Sequence, residues 1–508
     1  MADQTRIKTK EGYLVDDLHN SPVDDYEYRF RTLLVCIPLL VLFALLLWLI
    51  WQFSRDSTSA HADIREHFKY GSIGSEPGGR LLDPVGGVLP PYWVFRTLPS
   101  VCPEKLPGGY ASLGLIYEPG HDLPIGLSRR HRLGLEQVGL NCAVCHTGTV
   151  RASAGEQAAI VLGMPAHQFD IQRLFEFVLD CSLDERLTAN NVFAKAEEIG
   201  GHVPWFERQL YRLTVIEQVK AKTLQLRNLI GPLLGGAVPA WGPGRVDTFN
   251  PYKAIQFHWA LNQLPHDELI GASDFPSLWN QTPRQGLHLH WDGNNTSVDE
   301  RNLSASLGAG VTPVTVDFVS LERIHNWIWD LPPPTYPFAI DSSLAARGQT
   351  IYQQSCAECH AFNAARNGHI TNIADIGTDP YRFNSYTYTF AVSQASLYPQ
   401  SRYRFKEFRK TNGYANQPLD GVWARAPYLH NGSVPTMRDL LESPEQRPAR
   451  FYRGYDVYDQ ERMGFVSSGP AGSLYDAGLP GNGNGGHLYG TKLPEQDKRS
   501  LIEYMKTL

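Results

Sequence analysis

Two five-residue motifs constrain this chain of 508 residues more than any other feature. Residues 142–146 read CAVCH and residues 356–360 read CAECH, so both have the pattern C-x-x-C-H. In this pattern two thiols one helical turn apart bond to one haem, and the histidine lies under its iron as proximal ligand. A redox dithiol or half of a zinc site also uses C-x-x-C, but neither needs the adjacent histidine. Two copies therefore predict two covalently bound haem c groups, held by Cys142, Cys145, His146, Cys356, Cys359 and His360.

The remaining cysteines leave a choice open. Of seven cysteines, four lie in the motifs, and Cys36 lies in an apolar run as an ordinary small hydrophobic residue. Cys102 and Cys181 form a disulfide if the compartment is oxidising, and otherwise they are two buried thiols. The formal net charge of -6, with no cluster of Lys and Arg, argues against nucleic acid as a partner.

A long apolar run near the N-terminus predicts a membrane anchor. Residues 33–51 carry no charge, and this run is long enough to cross a bilayer as a helix. Arg29 and Arg31 precede the run, and Trp48 and Trp51 lie near its end, as interfacial residues do. A cleaved signal peptide is the alternative, but its apolar core is shorter and its leader briefer.

The anchor also fixes the expected location. We assign residues 1–32 to a cytoplasmic tail, because they contain seven acidic residues and few hydrophobic ones. Residues 33–53 form the anchor. In bacteria haem c is attached outside the cytoplasmic membrane, so we expect a single-pass inner-membrane protein with the bulk of the chain in the periplasm.

Apolar spacing and proline content predict a mainly α fold with two cytochrome c-type haem domains and long loops. The Pro-rich residues 332–334 separate an N-terminal haem domain, 54–332, from a C-terminal cytochrome c domain, 333–508. In the second domain, Asp341 or Ser342 caps a helix that runs into residue 356, and this helix packs on another at 495–508. Further helices are predicted near 63–69, 170–179 and 205–229.

Four segments resemble one family of haem proteins. Residues 426–436, APYLHNGSVPT, are similar to the A-P-Y-x-H-[DN]-G-S-x-x-T-L motif of dihaem cytochrome c peroxidases and MauG. Residues 291–294, WDGN, resemble the W-D-G-R segment that lies between their two haems. Residues 289–313 and 481–491 are closer still to the rubber oxygenase (RoxA) branch. The resemblance covers roughly residues 90–508, without the anchor.

The resemblance implies two unequal haems. One exchanges electrons and has two protein ligands, and the other binds peroxide or dioxygen at an open position. For the C-terminal haem it implies His487 as the sixth ligand, whereas a surface histidine in a Gly- and Asn-rich loop is the plain alternative. Met437 and Met463 are weaker candidates, and His430 of the shared motif is expected to make a structural hydrogen bond.

The resemblance places catalysis at the N-terminal haem, with His146 proximal. Trp291 becomes an electron relay between the haems, or else an ordinary core indole. Peroxidase relatives have a glutamate about twenty residues beyond this tryptophan, but residues 309–313 read AGVTP. Asp299 and Glu300 lie nearer and either start a helix or pair with Arg301. The missing acid favours an apolar, oxygen-binding pocket, which His167, His288 and His290 could each approach.

These expectations predict a membrane-anchored, haem-dependent oxidoreductase of the dihaem peroxidase or oxygenase type. Its partners would be a redox protein or a membrane electron-transfer complex and a small oxidant, peroxide or dioxygen. Calcium is a further candidate cofactor, although residues 416–420 match the calcium pattern of the relatives poorly. Two alternatives stay open: a tethered, non-catalytic electron carrier, and MauG-like oxidation of a protein substrate through Trp291.

Overall fold

The computed structural model describes residues 22–76, 89–398, 400–402 and 404–508. Residues 1–21 of the predicted cytoplasmic tail lie outside the described residues. Helical segments, 3₁₀ and π turns included, make up about 43% of the described residues. Those of the first part are α1 (Pro22–Ser54), α2 (Ile64–Tyr70), α3 (Tyr92–Val101), α4 (Ile171–Ser182), α5 (Ala189–Glu198), α6 (Trp205–Leu210), α7 (Ile216–Ile230), α8 (Asn250–Phe257), α9 (Val298–Gly308) and α10 (Phe318–Trp329).

The second part of the chain begins with one long helix and ends with another. Its helices are α11 (Ser342–Ser355), α12 (Ala357–His360), α13 (Ile373–Ile376), α14 (Tyr381–Ser385), α15 (Tyr388–Ser396), α16 (Met437–Leu440) and α17 (Glu495–Met505). The predicted helices near 63–69, 170–179 and 205–229 are present as α2, α4 and the pair α6 and α7, which one wide turn at 211–215 joins.

Short antiparallel strands join the helices. They are β1 (Asp56–Thr58), β2 (Leu127–Arg132), β3 (Leu135–Leu140), β4 (Thr147–Val150), β5 (Ala159–Leu162), β6 (Arg245–Asp247), β7 (Ala272–Asp274), β8 (Ile370–Asn372), β9 (Gly413–Ala415), β10 (Arg450–Arg453), β11 (Tyr458–Asp459), β12 (Gly464–Phe465) and β13 (Ser473–Asp476). Strands β1, β2 and β3 form one three-stranded sheet, and the others pair in twos. The hairpin of β2 and β3 leads directly into the first C-x-x-C-H motif.

Helix α1 belongs to a separate unit that ends at Arg55. Its part from Tyr28 to Ser54 is long and apolar enough to cross a membrane, although a signal sequence at this position would pass the same test. The helix begins at Pro22, earlier than the predicted anchor at 33–53. Its apolar side chains, such as Leu40 and Leu42, are more than 60% exposed. Such a surface is stable only when lipid or protein covers it.

The rest of the chain, Asp56–Leu508, is one compact unit with three apolar cores. The first is built from residues 89–275. The second is built mainly from residues 336–505, with Trp279 and two others from the first part. The third mixes residues 68–328 with residues 386–408. The two parts of the chain on either side of the predicted boundary therefore share core packing.

A close crossing of α11 and α17 organises the second core. Asp341 caps α11, as predicted, by accepting hydrogen bonds from the backbone N–H groups of Ser343 and Leu344. At the crossing, a Cβ atom on Gly348 would lie 1.9 Å from the backbone oxygen of Ser500. Only glycine allows this approach. The predicted packing of the first helix of this region on the last is confirmed.

Candidate functional site

The first C-x-x-C-H motif sits on a short 3₁₀ turn, Cys142–Val144, between β3 and β4. Asn141 holds this turn from both sides. Its Oδ1 accepts a hydrogen bond from the Ala143 N–H at 3.0 Å, and its Nδ2 donates to the carbonyls of Lys69 and Gly71 at the end of α2. Side chain–backbone bonds of this kind fix a turn that has no regular ladder. The backbone of the turn that carries the motif thiols is therefore held in a defined conformation.

The His146 imidazole is oriented through its Nδ1 atom. Nδ1 lies 2.8 Å from the backbone oxygen of Pro276. A carbonyl only accepts, so Nδ1 carries the proton and Nε2 keeps its lone pair. Burial lowers the pKa of His146 to about 4, which keeps the ring neutral at pH 7. A neutral imidazole whose other nitrogen donates to a carbonyl is the usual form of a metal-ligating histidine.

A cavity of about 830 Å³ opens beside this motif. Its volume lies in the range of cofactor and ligand pockets. Its wall combines many aliphatic and aromatic side chains with both motif thiols and a few polar groups; those of interest are Cys142, Cys145, His146, His290, Trp291 and Arg301. The residues present therefore fit a haem: two thiols, a neutral imidazole and an apolar space meet at one place.

The second C-x-x-C-H motif follows directly on α11. The Nδ1 atom of His360 lies 2.7 Å from the backbone oxygen of Gln417, so this histidine also keeps the Nε2 lone pair free. The ring of His487 faces it, with 6.2 Å between the two centroids. Two imidazole nitrogens bound at about 2.0 Å to one metal place their ring centroids about 6 Å apart. The pair thus has the spacing of two axial ligands.

The loop that carries His487 is held by backbone bonds. The His487 N–H donates to the Ile376 carbonyl at 2.9 Å, and Arg447 donates to the carbonyls of Gly486 and His487. Burial, with smaller effects of His360 and Arg447, lowers the pKa of His487 to about 3. Within the described residues its buried Nδ1 has no hydrogen-bond partner. The predicted loop therefore brings a neutral imidazole to the second motif.

The motif thiols are poorly suited to redox exchange. Burial raises the pKa of Cys142 and of Cys356 to about 11 and that of Cys145 to about 12. Reactive dithiols and zinc thiolates need thiols with a lowered pKa.

The two cysteines outside the motifs and the apolar run are paired. Cys102 and Cys181 form a disulfide, which resolves the alternative that the sequence left open.

Trp291 links the cavity to the second part of the chain. Its Nε1–H donates to the backbone oxygen of Asp274 at 2.9 Å. The Asp274 N–H donates in turn to the backbone oxygen of His430, and the Asp274 carboxylate lies 2.6 Å from an Arg453 nitrogen. Trp291 is among the residues that line the cavity, and its role as an electron relay stays a prediction.

The other predicted histidines lie in different surroundings. His290 lines the cavity and bonds through Nδ1 to Asn294 Oδ1 at 2.6 Å; burial lowers its pKa to about 3. His167 stacks on Phe465 at 3.7 Å, whereas His288 bonds to the Gly293 carbonyl. Of the three, His290 alone appears in the described lining of the cavity.

The surroundings of the His430 ring differ from the structural hydrogen bond that was predicted for it. Its ring stacks on Tyr414 with 4.0 Å between centroids, and its backbone carbonyl receives the Asp274 N–H. Within the described residues the buried Nε2 has no partner. The ring thus acts by stacking, while the hydrogen bond runs through the backbone.

The acidic candidates are engaged in α9 and its neighbours. Asp299 and Glu300 lie in the first turn of α9, as predicted. Asp299 approaches His325 at 3.4 Å, and Glu300 accepts the backbone N–H groups of Lys406 and Glu407. The contacts of Asp299 and Glu300 are therefore with these groups and not with Arg301.

Arg301 was not expected in the site. It lines the cavity, and its recorded hydrogen bond is a long one, 3.3 Å, to Asn302. Burial, with Arg284 nearby, lowers the pKa of Arg301 to about 10. A guanidinium in this position favours an anionic group on the occupant of the cavity. The sequence offered no signal for it, because α9 is weakly amphipathic and its inward face is not evident.

Two other groups of candidates have structural roles. Met437 and Met463 are buried in the second core. Asp420, in the segment considered for calcium, lies 2.8 Å from Arg425 and also contacts Arg284. Its carboxylate charge is therefore compensated within the protein.

Comparisons with known proteins are consistent with this site. Residues 413–452, which include β9 and the APYLHNG segment, match a family model described as RoxA-like, cytochrome c-like. The uncharacterized protein y4iM of Sinorhizobium fredii is 34% identical over 299 residues, which cover 49% of this chain and 68% of that protein. The uncharacterized protein y4iJ of the same organism is 25% identical over 519 aligned residues, 79% of this chain and 82% of its own length. A cytochrome c-like segment implies haem c as cofactor.

Proposed function

This chain belongs to the family of y4iM and carries a RoxA-like cytochrome c-like segment, and we propose that it is a dihaem c-type oxidoreductase. In this proposal His360 and His487 would hold a C-terminal haem suited to electron exchange. His146 would hold an N-terminal haem suited to the activation of dioxygen or peroxide. The observation that carries the proposal is the unequal surroundings of the two proximal histidines.

The unequal surroundings predict unequal coordination. His360 faces a second imidazole at 6.2 Å, which suits a six-coordinate electron-transfer haem. His146 borders the cavity of about 830 Å³ that would hold its haem, and the proposal places an open coordination position for an exogenous ligand there. Of the histidines predicted to approach this iron, His290 lines the cavity and could compete for that position.

The chain's own residues would bind, orient and shield the cofactor. A bound haem c supplies an iron that cycles between oxidation states and, where a coordination position is open, binds dioxygen or peroxide. Pro276 and Gln417 orient the two proximal rings through their carbonyls. Arg301 offers a positive charge to a carboxylate of the haem. The apolar wall excludes water, which strengthens every electrostatic interaction inside the pocket.

The same proposal includes location and partners. The helix from Tyr28 to Ser54 would anchor the protein in the bacterial inner membrane, with Asp56–Leu508 in the periplasm. A disulfide between Cys102 and Cys181 fits an oxidising compartment. An anchored electron acceptor would meet a redox protein or a membrane electron-transfer complex at raised local concentration.

Haem counting and electron paramagnetic resonance test the proposal. Peptide mass spectrometry should find one haem on residues 142–146 and one on 356–360. The oxidised protein should give one low-spin and one high-spin signal. His487→Ala should remove the low-spin signal, whereas the control His202→Ala, at an exposed histidine, should leave both unchanged.

The cavity residue His290 gives the sharpest second experiment. If the oxidised protein has two low-spin haems and His290→Ala converts one to high spin, then His290 is the sixth ligand of the N-terminal iron. Two low-spin haems that do not react with carbon monoxide, dioxygen or peroxide, in wild type and in His290→Ala, would overturn the catalytic proposal.

A tethered electron carrier is the second candidate function. The observation that favours it is the apolar helix, because a tether serves a carrier that shuttles between neighbouring complexes. A carrier would keep both haems six-coordinate and would show no turnover with peroxide. MauG-like oxidation of a protein substrate would instead require an oxidising equivalent to reach Trp291, so Trp291→Phe would abolish it.

A further inference from the structure

A cluster of ligand-type side chains lies outside the lining of the cavity. His131 on β2 stands directly opposite Glu136 on β3 in the antiparallel register. Glu207, in the first turn of α6, approaches them from the neighbouring element. Nitrogen and carboxylate oxygen atoms of the three residues lie within 4.8 Å of one another. One strand pair and one helix thus bring three potential metal ligands together.

Helix α6 is fixed over the tip of this hairpin. A Cβ atom on Gly134, in the turn between β2 and β3, would lie 2.8 Å from the ring of Phe206. Phe206 is the residue before Glu207, so the contact determines where the glutamate enters. The position of Glu207 is therefore tied to the packing of the Phe206 ring on the glycine turn of the hairpin.

The cluster contains buried polar atoms that the described residues do not satisfy. His131 is 8% exposed and Glu207 is 3% exposed. The Nδ1 atom of His131 and the Oε2 atom of Glu207 have no hydrogen-bond partner among the described residues. Each such atom costs about 1–3 kcal/mol when buried without a partner. An ion bound between them would remove this cost.

Charge balance also favours a bound cation. Glu136 is paired with Arg129, whose Nε lies 2.8 Å from Oε2 of the carboxylate. Glu207 forms no ion pair within the described residues, although the charge of Arg129 also acts on it. Burial, and after it the charge of Glu136, raises the pKa of Glu207, so a bare Glu207 carboxylate is costly at this position.

We propose that His131, Glu136 and Glu207 bind one divalent transition-metal ion of the Zn²⁺ type, which ties α6 to the β2–β3 hairpin. Imidazole and carboxylate ligands together suit Zn²⁺ or Mn²⁺ better than Ca²⁺. Ligand atoms about 2.0–2.2 Å from one ion lie at most about 4.4 Å apart, so small side-chain rotations close the site. Three protein ligands leave the remaining position to water.

Zinc binding to the full chain tests this site. The purified protein is dialysed against EDTA and titrated with Zn²⁺ alone by calorimetry, while zinc is counted per chain by atomic emission. We expect one equivalent of bound zinc and a rise of the melting temperature with zinc concentration, because the ion binds only the folded state. His131→Ala and Glu207→Gln should each weaken zinc binding by at least about 100-fold.

The controls separate metal binding from folding. Glu207→Gln keeps the size and shape of the side chain and removes its charge, so this variant should fold with an unchanged far-ultraviolet circular dichroism spectrum. His202→Ala and Glu217→Gln change an exposed histidine and an exposed glutamate near α6, and both should bind zinc like the wild type. The proposal is overturned if the wild type binds no stoichiometric zinc, or if both cluster variants bind it as tightly as the wild type.

Discussion

The surroundings of His146 and of His360 differ although their motifs are the same. Each ring donates a hydrogen bond from Nδ1–H to a backbone carbonyl, that of Pro276 for His146 and that of Gln417 for His360. Across from His360 stands His487, whereas His146 borders a large cavity. The two motifs therefore present the proximal imidazole in the same way, with Nδ1 bonded to a carbonyl. The groups opposite each imidazole differ because they come from other parts of the chain.

The two regions are nevertheless joined by polar contacts. Trp279 donates its Nε1–H to the backbone oxygen of Asp420 at 2.9 Å, and Arg284 contacts the Asp420 carboxylate. Trp291 and His430 meet through the backbone of Asp274. These contacts are where the two regions meet, and the following experiments test whether a change in one region affects the other.

The largest expected effect is on the compact second region. Gly348→Val places side-chain atoms where the Ser500 carbonyl lies 1.9 Å from the Cβ position, so α11 and α17 must separate. We expect a loss of more than about 3 kcal/mol in the free energy of unfolding. Urea unfolding followed by circular dichroism measures it. Gly155→Val, at an exposed turn with no atom within 4 Å of the Cβ position, should change stability by less than about 1 kcal/mol. Equal effects at the two sites would contradict the crossing.

The next effect concerns the contact between the regions. Asp420→Asn leaves Arg284 and Arg425 without their shared carboxylate, and all three side chains are at most 14% exposed. Breaking a buried pair on one side costs about 3–5 kcal/mol. The matched control Asp497→Asn removes the surface partner of Arg347 and should cost about 0–1 kcal/mol. Thermal unfolding of both variants compares them. If Asp420→Asn unfolds like the control, the two regions are not coupled through this carboxylate.

A pH experiment compares one buried histidine from each region. Burial lowers the pKa of His167 to about 4 and that of His430 to about 3, against about 6.5 in the unfolded chain. Below pH 6.5 the unfolded state binds more protons, so stability falls as pH decreases. Each histidine contributes about 1.4 kcal/mol per pH unit between pH 6 and its folded pKa. In urea unfolding between pH 4 and 7, His430→Asn should lower the slope by this amount. His202→Ala should leave the slope unchanged, and a His430→Asn slope equal to wild type would exclude a neutral, buried His430.

The smallest structural effect is expected at the residue between the regions. Trp291→Phe removes the hydrogen bond to Asp274 and should cost about 1 kcal/mol of stability. If Trp291 is an electron relay, re-oxidation of the reduced protein by peroxide, followed by stopped-flow absorbance, should become slower with both haem spectra unchanged. The control Trp205→Phe changes an indole that is 66% exposed. Identical rates in both variants and wild type would leave Trp291 a wall residue only.

Local features of the fold were readable from the sequence, and features made by distant pairing were not. Asp341 at the start of a helical pattern predicted α11, and the apolar stripe near the C-terminus predicted α17. The hairpin of β2 and β3 was missed, because its strand residues include the charged run 129–132. Helix α3 was also missed, since Pro90 and Pro91 suggested a loop although Pro91 precedes the helix as its cap.

The candidate site follows the same division. Both C-x-x-C-H motifs could be found from residue types and spacing, whereas the loop of His487 was found through the resemblance to the rubber oxygenases. The carbonyls of Pro276 and Gln417 could not, since a backbone oxygen 130 or 57 residues away leaves no trace in composition. His131 and Glu207 were missed because no local pattern connects a strand residue to a helix 76 positions later.

The partial burial of the motif thiols bears on when a haem could be attached to them. Vinyl addition needs a thiolate and an enzyme that can reach it, but the folded chain raises the pKa of Cys142 to about 11 and of Cys145 to about 12. Under the proposal of two covalently bound haems, attachment is therefore expected before the chain compacts. The third core mixes both parts of the sequence, so both attachments would come before that core forms. Maturation and folding would then be one coupled process, and a delay at either motif would leave the unit open to proteolysis for longer.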